Sequence, residues 1–486
     1  MSRFEKAKKK LTADKYLDSK KQDVISLAEY LINNGFEEAS VLAVNATGKR
    51  YSISKAGMNV ADDSLLCTRG FVIRVTKGAK WAEHSCNTLN SECFAQISNN
   101  LSGLINANDC PTACETDSDD EKEQENNVYV TEYEIHPEEM GDEAILKCLE
   151  KVRTSTLECD SKLMDCNVFC SYAGTAKLFV KKKANGKLIQ KEQNILWMTG
   201  GISVMASRGE EIKDYFKSYS NLGGAEILEE MKKDCQNIAE SVVALLDSKQ
   251  IEPGEYECIC TPDVTGLIVH EAFGHGVEMD MFVKDRAVAK DYIGEYVASE
   301  IVTMHDGALA AEQTATYFFD DEGSAAKDTI VIEKGVLKRG ISDLRSACQT
   351  KTEPTGNGRR ESYKRKAYAR MTNTFFEAGK DKLEDMVSSV KYGFLLENAS
   401  SGMEDPKNWG IQCMVNVAKE IKDGKLTGKI FSPIILTGYV PDLLKSITMV
   451  SDEVKLSGGG YCGKGYKEWV KVSDGGPYIK ARIRLG

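Results

Sequence analysis

The run His270-Glu271-Ala272-Phe273-Gly274-His275 sets two imidazoles five residues apart, with a carboxylate directly after the first. Imidazole is the commonest protein metal ligand, and a carboxylate beside a metal is a ready general base for hydrolysis. In the familiar H-E-x-x-H arrangement the histidines are four apart and share one helical face. Five positions turn roughly 140° about a regular helix, too far for both rings to reach one ion. The helix must therefore widen into a π-type turn or end there, and Gly274 and Gly276 flank His275 where that would happen. The competing reading is plain: two of the five histidines pack together in a core.

A catalytic zinc takes three protein ligands and leaves a fourth position for water. By residue type the third place stays open between Cys462, which follows Gly458-Gly459-Gly460, and the carboxylates Glu278, Asp280 and Glu295. Cys462 also reads as an inert buried thiol in a glycine turn. Cys110-x-x-x-Cys114 and Cys166-x-x-x-Cys170 lack a matched second pair and are not expected to hold a structural metal. Tyr461 and Tyr466 lie near Cys462 but read as packing residues. Asp320, Asp321 and Glu322 read as a solvated acidic turn, or as groups orienting a ligand histidine or holding a peptide amino end. Arg359 and Arg360 read as surface residues or as a clamp for a peptide carboxylate, and Asn373 is treated alike. His136 and His305 read as structural.

These groups must be positioned by ordinary elements. Thr261 and Pro262 suit an N-cap and first helical position, and Val264, Leu267, Ile268 and Ala272 supply the apolar face of a helix carrying His270. The segment 256–260 before it reads as a strand. Further upstream, Val24, Leu27, Ala28, Leu31 and Ile32 recur at helical spacing, and a strand follows at 41–44. Thr47-Gly48 reads as a hairpin turn, and Phe71, Ile73 and Val75 alternate before a turn at Lys77-Gly78. Strands at 168–172, 178–180 and 195–205 surround Asn185-Gly186, a type I′ hairpin signal. Leu228, Met231, Cys235, Ile238, Val242 and Leu245 predict one long helix dividing two units. The expected class is α+β: an N-terminal α/β domain over 1–224, with an acidic loop at 115–127, and a mainly β C-terminal domain over 225–486 carrying the metal-site helix. Lys334-Gly335 and Asp423-Gly424 mark turns in a strand-rich half with few helices.

A length of 486 residues with 42% hydrophobic content supports a sizeable core, and a net charge of −11 argues against non-specific nucleic-acid binding. The charged segment 1–10 has no apolar leader, and no apolar run is long enough to span a bilayer. A cytoplasmic protein is expected, without membrane association. Fifteen scattered cysteines suit a reducing compartment, most of them as free core thiols.

Several motifs in order carry a resemblance. They are the histidine run with Gly276-Val277-Glu278, Phe318 through Gly323, Arg370-Met371-Thr372-Asn373-Thr374, and Gly460-Tyr461-Cys462-Gly463-Lys464. Together they resemble the TldD branch, the zinc-ligand-bearing one, of the TldD/PmbA metalloprotease family. The resemblance implies that Cys462 joins His270 and His275 on one Zn2+ per chain. It further implies a zinc-dependent peptidase acting on unfolded or extended polypeptide, in which Glu271 takes the proton of the zinc-bound water. A homodimer, or a heterodimer with a PmbA-like subunit, is the implied assembly. Two alternatives stand beside it: a non-catalytic modulator or partner-binding subunit of the same family, and a hydrolase of small amides.

Overall fold

Along the strand Glu38–Ser54, Val41 and Ala43 face one side and Leu42 and Val44 the other, and all four are buried. A strand apolar on both faces needs a cover on each side. In the computed structural model, which describes residues 8–62, 67–107, 127–465 and 468–486, both covers are present. Helices Lys15–Asn33 and Phe94–Ile105 bury Leu27, Leu31 and Leu101 against Val41, Ala43 and Ile73. On the opposite face Leu42, Val44 and Phe179 meet Phe319 of the C-terminal half.

That strand sits inside an eight-stranded sheet. Its main path runs Glu211–Asn221, Leu188–Arg208, Leu163–Lys183, Glu38–Ser54, Thr68–Lys77 and Lys80–Cys86, antiparallel throughout. Thr47-Gly48 is not a turn. Thr47 pairs with Gly174 and Gly48 with Ala173, so the cross-strand ladder carries the chain through the glycine and the hairpin closes later, before Gly57–Asp62. Asn185-Gly186 does join two strands, but only Gly186 has a positive φ, 90°. A type I′ turn needs two such residues, so the connection over 184–187 is of another kind, with Gly186 in the left-handed position and the Lys183 amide donating to the Lys187 carbonyl at 3.0 Å. The predicted long divider is two helices, Ile227–Lys233 and Cys235–Leu245. At their junction the Asp234 carboxylate accepts from Tyr219 Oη at 3.0 Å and pairs with Lys217 at 2.6 Å. Their apolar residues Leu228, Met231, Ile238 and Val242 join the core beneath the N-terminal sheet. Of the acidic segment 115–127, only Asn127 lies within the described residues, opening a short strand beside Lys191.

Five strands of the C-terminal half close into a barrel. Gly254–Cys260 pairs in parallel with Tyr392–Asp405; the ladder then passes antiparallel through Gly410–Lys422, Ile434–Tyr439 and Ile479–Leu485, which returns to Gly254–Cys260. A six-stranded sheet containing Asn373–Phe376 and Ser473–Gly476 stands beside it. With 26% helix and 44% strand, segregated as described, the class is α+β. No helix among the described residues is long and apolar enough to cross a membrane. Cys166 and Cys170 are fully buried core thiols, and most of the free cysteines described are buried, while Cys348 is disulfide-bonded; Cys110 and Cys114 lie outside the described residues.

The seam between the halves accounts for the acidic turn. Asp321 pairs with Lys177 at 2.5 Å, Glu322 with Arg74 at 2.6 Å, and Arg360 grips Glu83 through two nitrogens. The Asp320 carboxylate accepts from the amides of Glu322, Ser324 and Gly358. Asp321 and Glu322 are buried partners of the N-terminal sheet and Asp320 braces the backbone between them, so this is not a solvated turn. Burial alone would raise the Asp321 carboxyl, but Lys177 and the Arg360 amide hold it below its usual range. Such a carboxylate contributes stability above its unfolded pKa, about 3.9, and loses it as pH falls through the folded value. Asp321→Asn should therefore cost about 3–5 kcal/mol at pH 7, the cost of breaking a buried pair, with the difference shrinking below about pH 4. Urea unfolding at both pH values checks this, and equal stability at pH 7 would contradict it.

Candidate metal centre

Thr261 stands at the N-cap position and Pro262 at the first helical position of Pro262–Leu267. The Thr261 hydroxyl does not cap the helix. It donates to the Leu396 carbonyl at 2.9 Å, while Asp263 accepts from the Ala399 amide at 2.8 Å, so the helix start is pinned to a barrel strand. From Ile268 to Gly274 the helix widens into a π turn. With i→i+5 bonding, residues five apart return to one face. His270 and His275 accordingly stand ring to ring, 5.2 Å between centroids and nearly perpendicular. Gly274 keeps ordinary helical angles; its role is room, because a Cβ there would lie 2.1 Å from Met371 Sδ. At Gly276 a Cβ would meet Glu404, whose carboxylate accepts from the Gly276 amide at 2.9 Å.

Cys462 arrives from far along the chain on the hairpin Tyr461–Lys464 with Glu468–Lys471. One ligand atom from each of His270, His275 and Cys462 lies within 4.8 Å of the others, and Cys462 Sγ is 3.5 Å from His275 Nε2. Glu271 is beside them, its Oε2 3.8 Å from His275 Nε2; both of these side chains are half-buried, while His270 and Cys462 are buried. The alternative third ligands lie elsewhere. Glu278 Oε2 sits 3.3 Å from the far nitrogen of His275, Asp280 is occupied by Lys464 and Lys284, and Glu295 is exposed.

Around this cluster is a set of charges that the motifs did not explain. Glu278 fixes His275 Nδ1, leaving Nε2 toward Cys462. Lys464 reaches Glu278 at 2.9 Å and the Ala369 carbonyl at 3.0 Å, and Arg370 Nε lies 3.8 Å from Glu278. Arg370 also donates to the Cys462 and Glu468 carbonyls at 2.6 and 2.9 Å, which ties the Cys462 hairpin to the histidine segment. Arg370 and Lys464 lie inside the resembling motifs, so their importance was visible but not their task. Asp474, whose Oδ2 is 3.9 Å from His270 Nδ1, and Glu404 gave no local signal.

The donor set fits a zinc ion. Burial alone would push the Cys462 thiol up, but hydrogen bonds from His270 and His275, and their charge, bring it down to about 4. A thiolate with two imidazoles is a donor set that suits zinc, a closed-shell ion of borderline softness. His270 Nδ1 is buried with no hydrogen-bond partner among the described residues. Burial also pushes the Glu404 carboxyl well up, reinforced by the nearby acids Glu278 and Glu271.

The remaining sequence candidates are placed away from this cluster. Asn373 donates to the Gly307, Ala308 and Ala311 carbonyls, bracing a loop. His305 bonds Asp328 at 2.7 Å, and His136 caps a short helix by accepting from the Glu138 amide. Tyr461 turns away from the cluster toward Trp197, and Tyr466 lies outside the described residues.

The closed barrel thus carries a His-His-Cys cluster with Glu271 beside it. Residues 253–483 match the PmbA/TldA metallopeptidase C-terminal domain. The chain is 35% identical over 236 residues to a Buchnera aphidicola protein named metalloprotease TldD homolog, covering 48% of each chain. It is 28% identical over 252 residues to a Saccharolobus solfataricus zinc metalloprotease TldD homolog, covering 51% of this chain and 56% of that one. It spans about half the length of the curated relatives it matches. Its fold aligns with the crystal structure of a Thermotoga maritima protein described as a candidate modulator of a DNA gyrase, with a TM-score of 0.73 at 17% identity, over 97% of this chain and 100% of that one. The C-terminal half of the chain, residues 253–483, belongs to the TldD/PmbA family.

Because Glu278 orients His275 from behind, Glu278→Gln should weaken zinc binding about 10–100-fold while leaving the near-UV circular dichroism unchanged. Competition with a chromophoric chelator measures this. Unchanged affinity would remove Glu278 from the orienting role.

Proposed function

We propose that the chain is a zinc-dependent peptidase of the TldD branch that hydrolyses extended or unfolded polypeptide. The observation that carries this reading is the convergence of His270, His275 and Cys462, from both ends of the C-terminal half, beside a carboxylate that none of them consumes. A zinc ion held by these three residues supplies Lewis-acid polarisation of a carbonyl and water of lowered pKa. Glu271 is placed to take the proton of the attacking water and to hand it to the leaving amine. Cys462, as a thiolate, lowers the net charge of the centre, and Glu278 keeps His275 in the tautomer that presents Nε2. The Gly402 backbone packs closely against the base, for a Cβ there would lie 2.9 Å from Glu271 Cβ and Cγ and from Cys413 Sγ.

The relatives' names support the same class, since they are metalloproteases and one is a zinc metalloprotease. As assembly we propose a homodimer, or a heterodimer with a PmbA-like subunit, following the family resemblance. A purely modulatory subunit would have no chemical requirement for Glu271 next to a complete ligand set.

Two outcomes are expected. The purified protein should carry about one zinc per chain by elemental analysis, and chelation should abolish cleavage of an unstructured peptide digest read by mass spectrometry. Glu271→Gln should keep its metal and lose cleavage by about 10²–10⁴-fold. Undiminished turnover in that variant would exclude Glu271 as the base.

A further inference from the structure

On the reverse face of the Cys462 hairpin lies a cavity of about 150 Å³ between the N-terminal sheet and the C-terminal half. Successive side chains on a strand leave opposite faces, so Tyr461 lines this cavity while Cys462 points to the histidines. One wall is apolar, from Leu42, Val44, Ile195 and Trp197.

The cavity also holds two cations with no carboxylate bonded to them among the described residues. Lys471 is 7% exposed; its Nζ donates to the Gly459 carbonyl at 3.0 Å and stands over the rings of Tyr461 and Trp197, at 4.3 and 4.9 Å. Among the described residues Arg359 donates only to the Met371 and Lys471 carbonyls, at 2.7 and 2.6 Å, and it lies over the Tyr317 ring. Asp320, Asp321 and Glu361 line the same space, but their oxygens are engaged by backbone amides, by Lys177 and by Arg365. Asp474, which acts on Lys471 at longer range, faces His270. Burying a cation without a counter-ion is costly, and here burial pushes the Lys471 ammonium down to about 7.

We propose that this cavity binds a small organic carboxylate, its charge held by Lys471 and Arg359 and its apolar or aromatic body laid along Trp197, Ile195 and Val44. A planar guanidinium matches a carboxylate well, and the apolar wall disfavours a bare inorganic anion. The site is separate from the metal cluster and does not rest on the peptidase reading.

Benzoate and its neutral isostere benzamide separate charge from shape. Isothermal titration of the full-length protein, with Trp197 and Trp469 fluorescence as a second readout, should show saturable benzoate binding and at least ten-fold weaker binding of benzamide. Lys471→Met should weaken benzoate at least ten-fold, with a melting temperature equal to or above that of the unchanged protein, because a buried ammonium lacking a counter-ion is removed. Glu271→Gln should bind benzoate unchanged, which keeps this test distinct from that of hydrolysis. Benzamide binding as tightly as benzoate, a response to inorganic phosphate alone, no saturable benzoate binding, or full benzoate affinity in a folded Lys471→Met protein would each overturn the assignment.

Discussion

The widened helical turn from Ile268 to Gly274 is the constraint on which the site depends. A regular helix would send His270 and His275 to different sides, and no placement of Cys462 would then bring three donors together. The π turn restores a common face at a spacing of five and leaves Glu271 facing outward beside it. It is held from three directions: Thr261 and Asp263 fasten its beginning to a barrel strand, Met371 occupies the room left by Gly274, and Glu404 binds the amide of Gly276.

The second requirement is electrostatic. Thiolate, imidazoles and several carboxylates are gathered in a space largely shut off from water, where unpaired charge is costly. Lys464 and Arg370 answer this by neutralising Glu278, and the same Arg370 clasps the backbone that carries Cys462. One side chain thus balances charge and fixes the distance between two segments nearly two hundred residues apart in sequence. The ligand set exists only in the folded C-terminal half.

Much of this was legible in the sequence, for identifiable reasons. The five-residue offset, tested against helix geometry, already demanded a distorted turn, and the reading of an α+β chain followed from local periodicity. Lys334-Gly335 and Asp423-Gly424 are turns with both residues at positive φ, which the glycines and Asp423 favour. Where the reading went astray, long-range partners prevailed over local signals. Thr47-Gly48 stays extended because neighbouring strands pair across it, and the acidic trio at 320–322 is buried because Lys177 and Arg74 meet it from the other half. Glu278 showed its spacing from His275 but not which side of the ring it would hold, and Asp474 and Glu404 come into play only through tertiary placement.

The most direct test of the central claim is zinc K-edge X-ray absorption of the purified protein. A single sulfur at roughly 2.3 Å together with two imidazole nitrogens is the predicted shell, and Cys462→Ser should remove the sulfur contribution. A shell of nitrogen and oxygen alone, or one with several sulfurs, would contradict the assembly of His270, His275 and Cys462 around one ion.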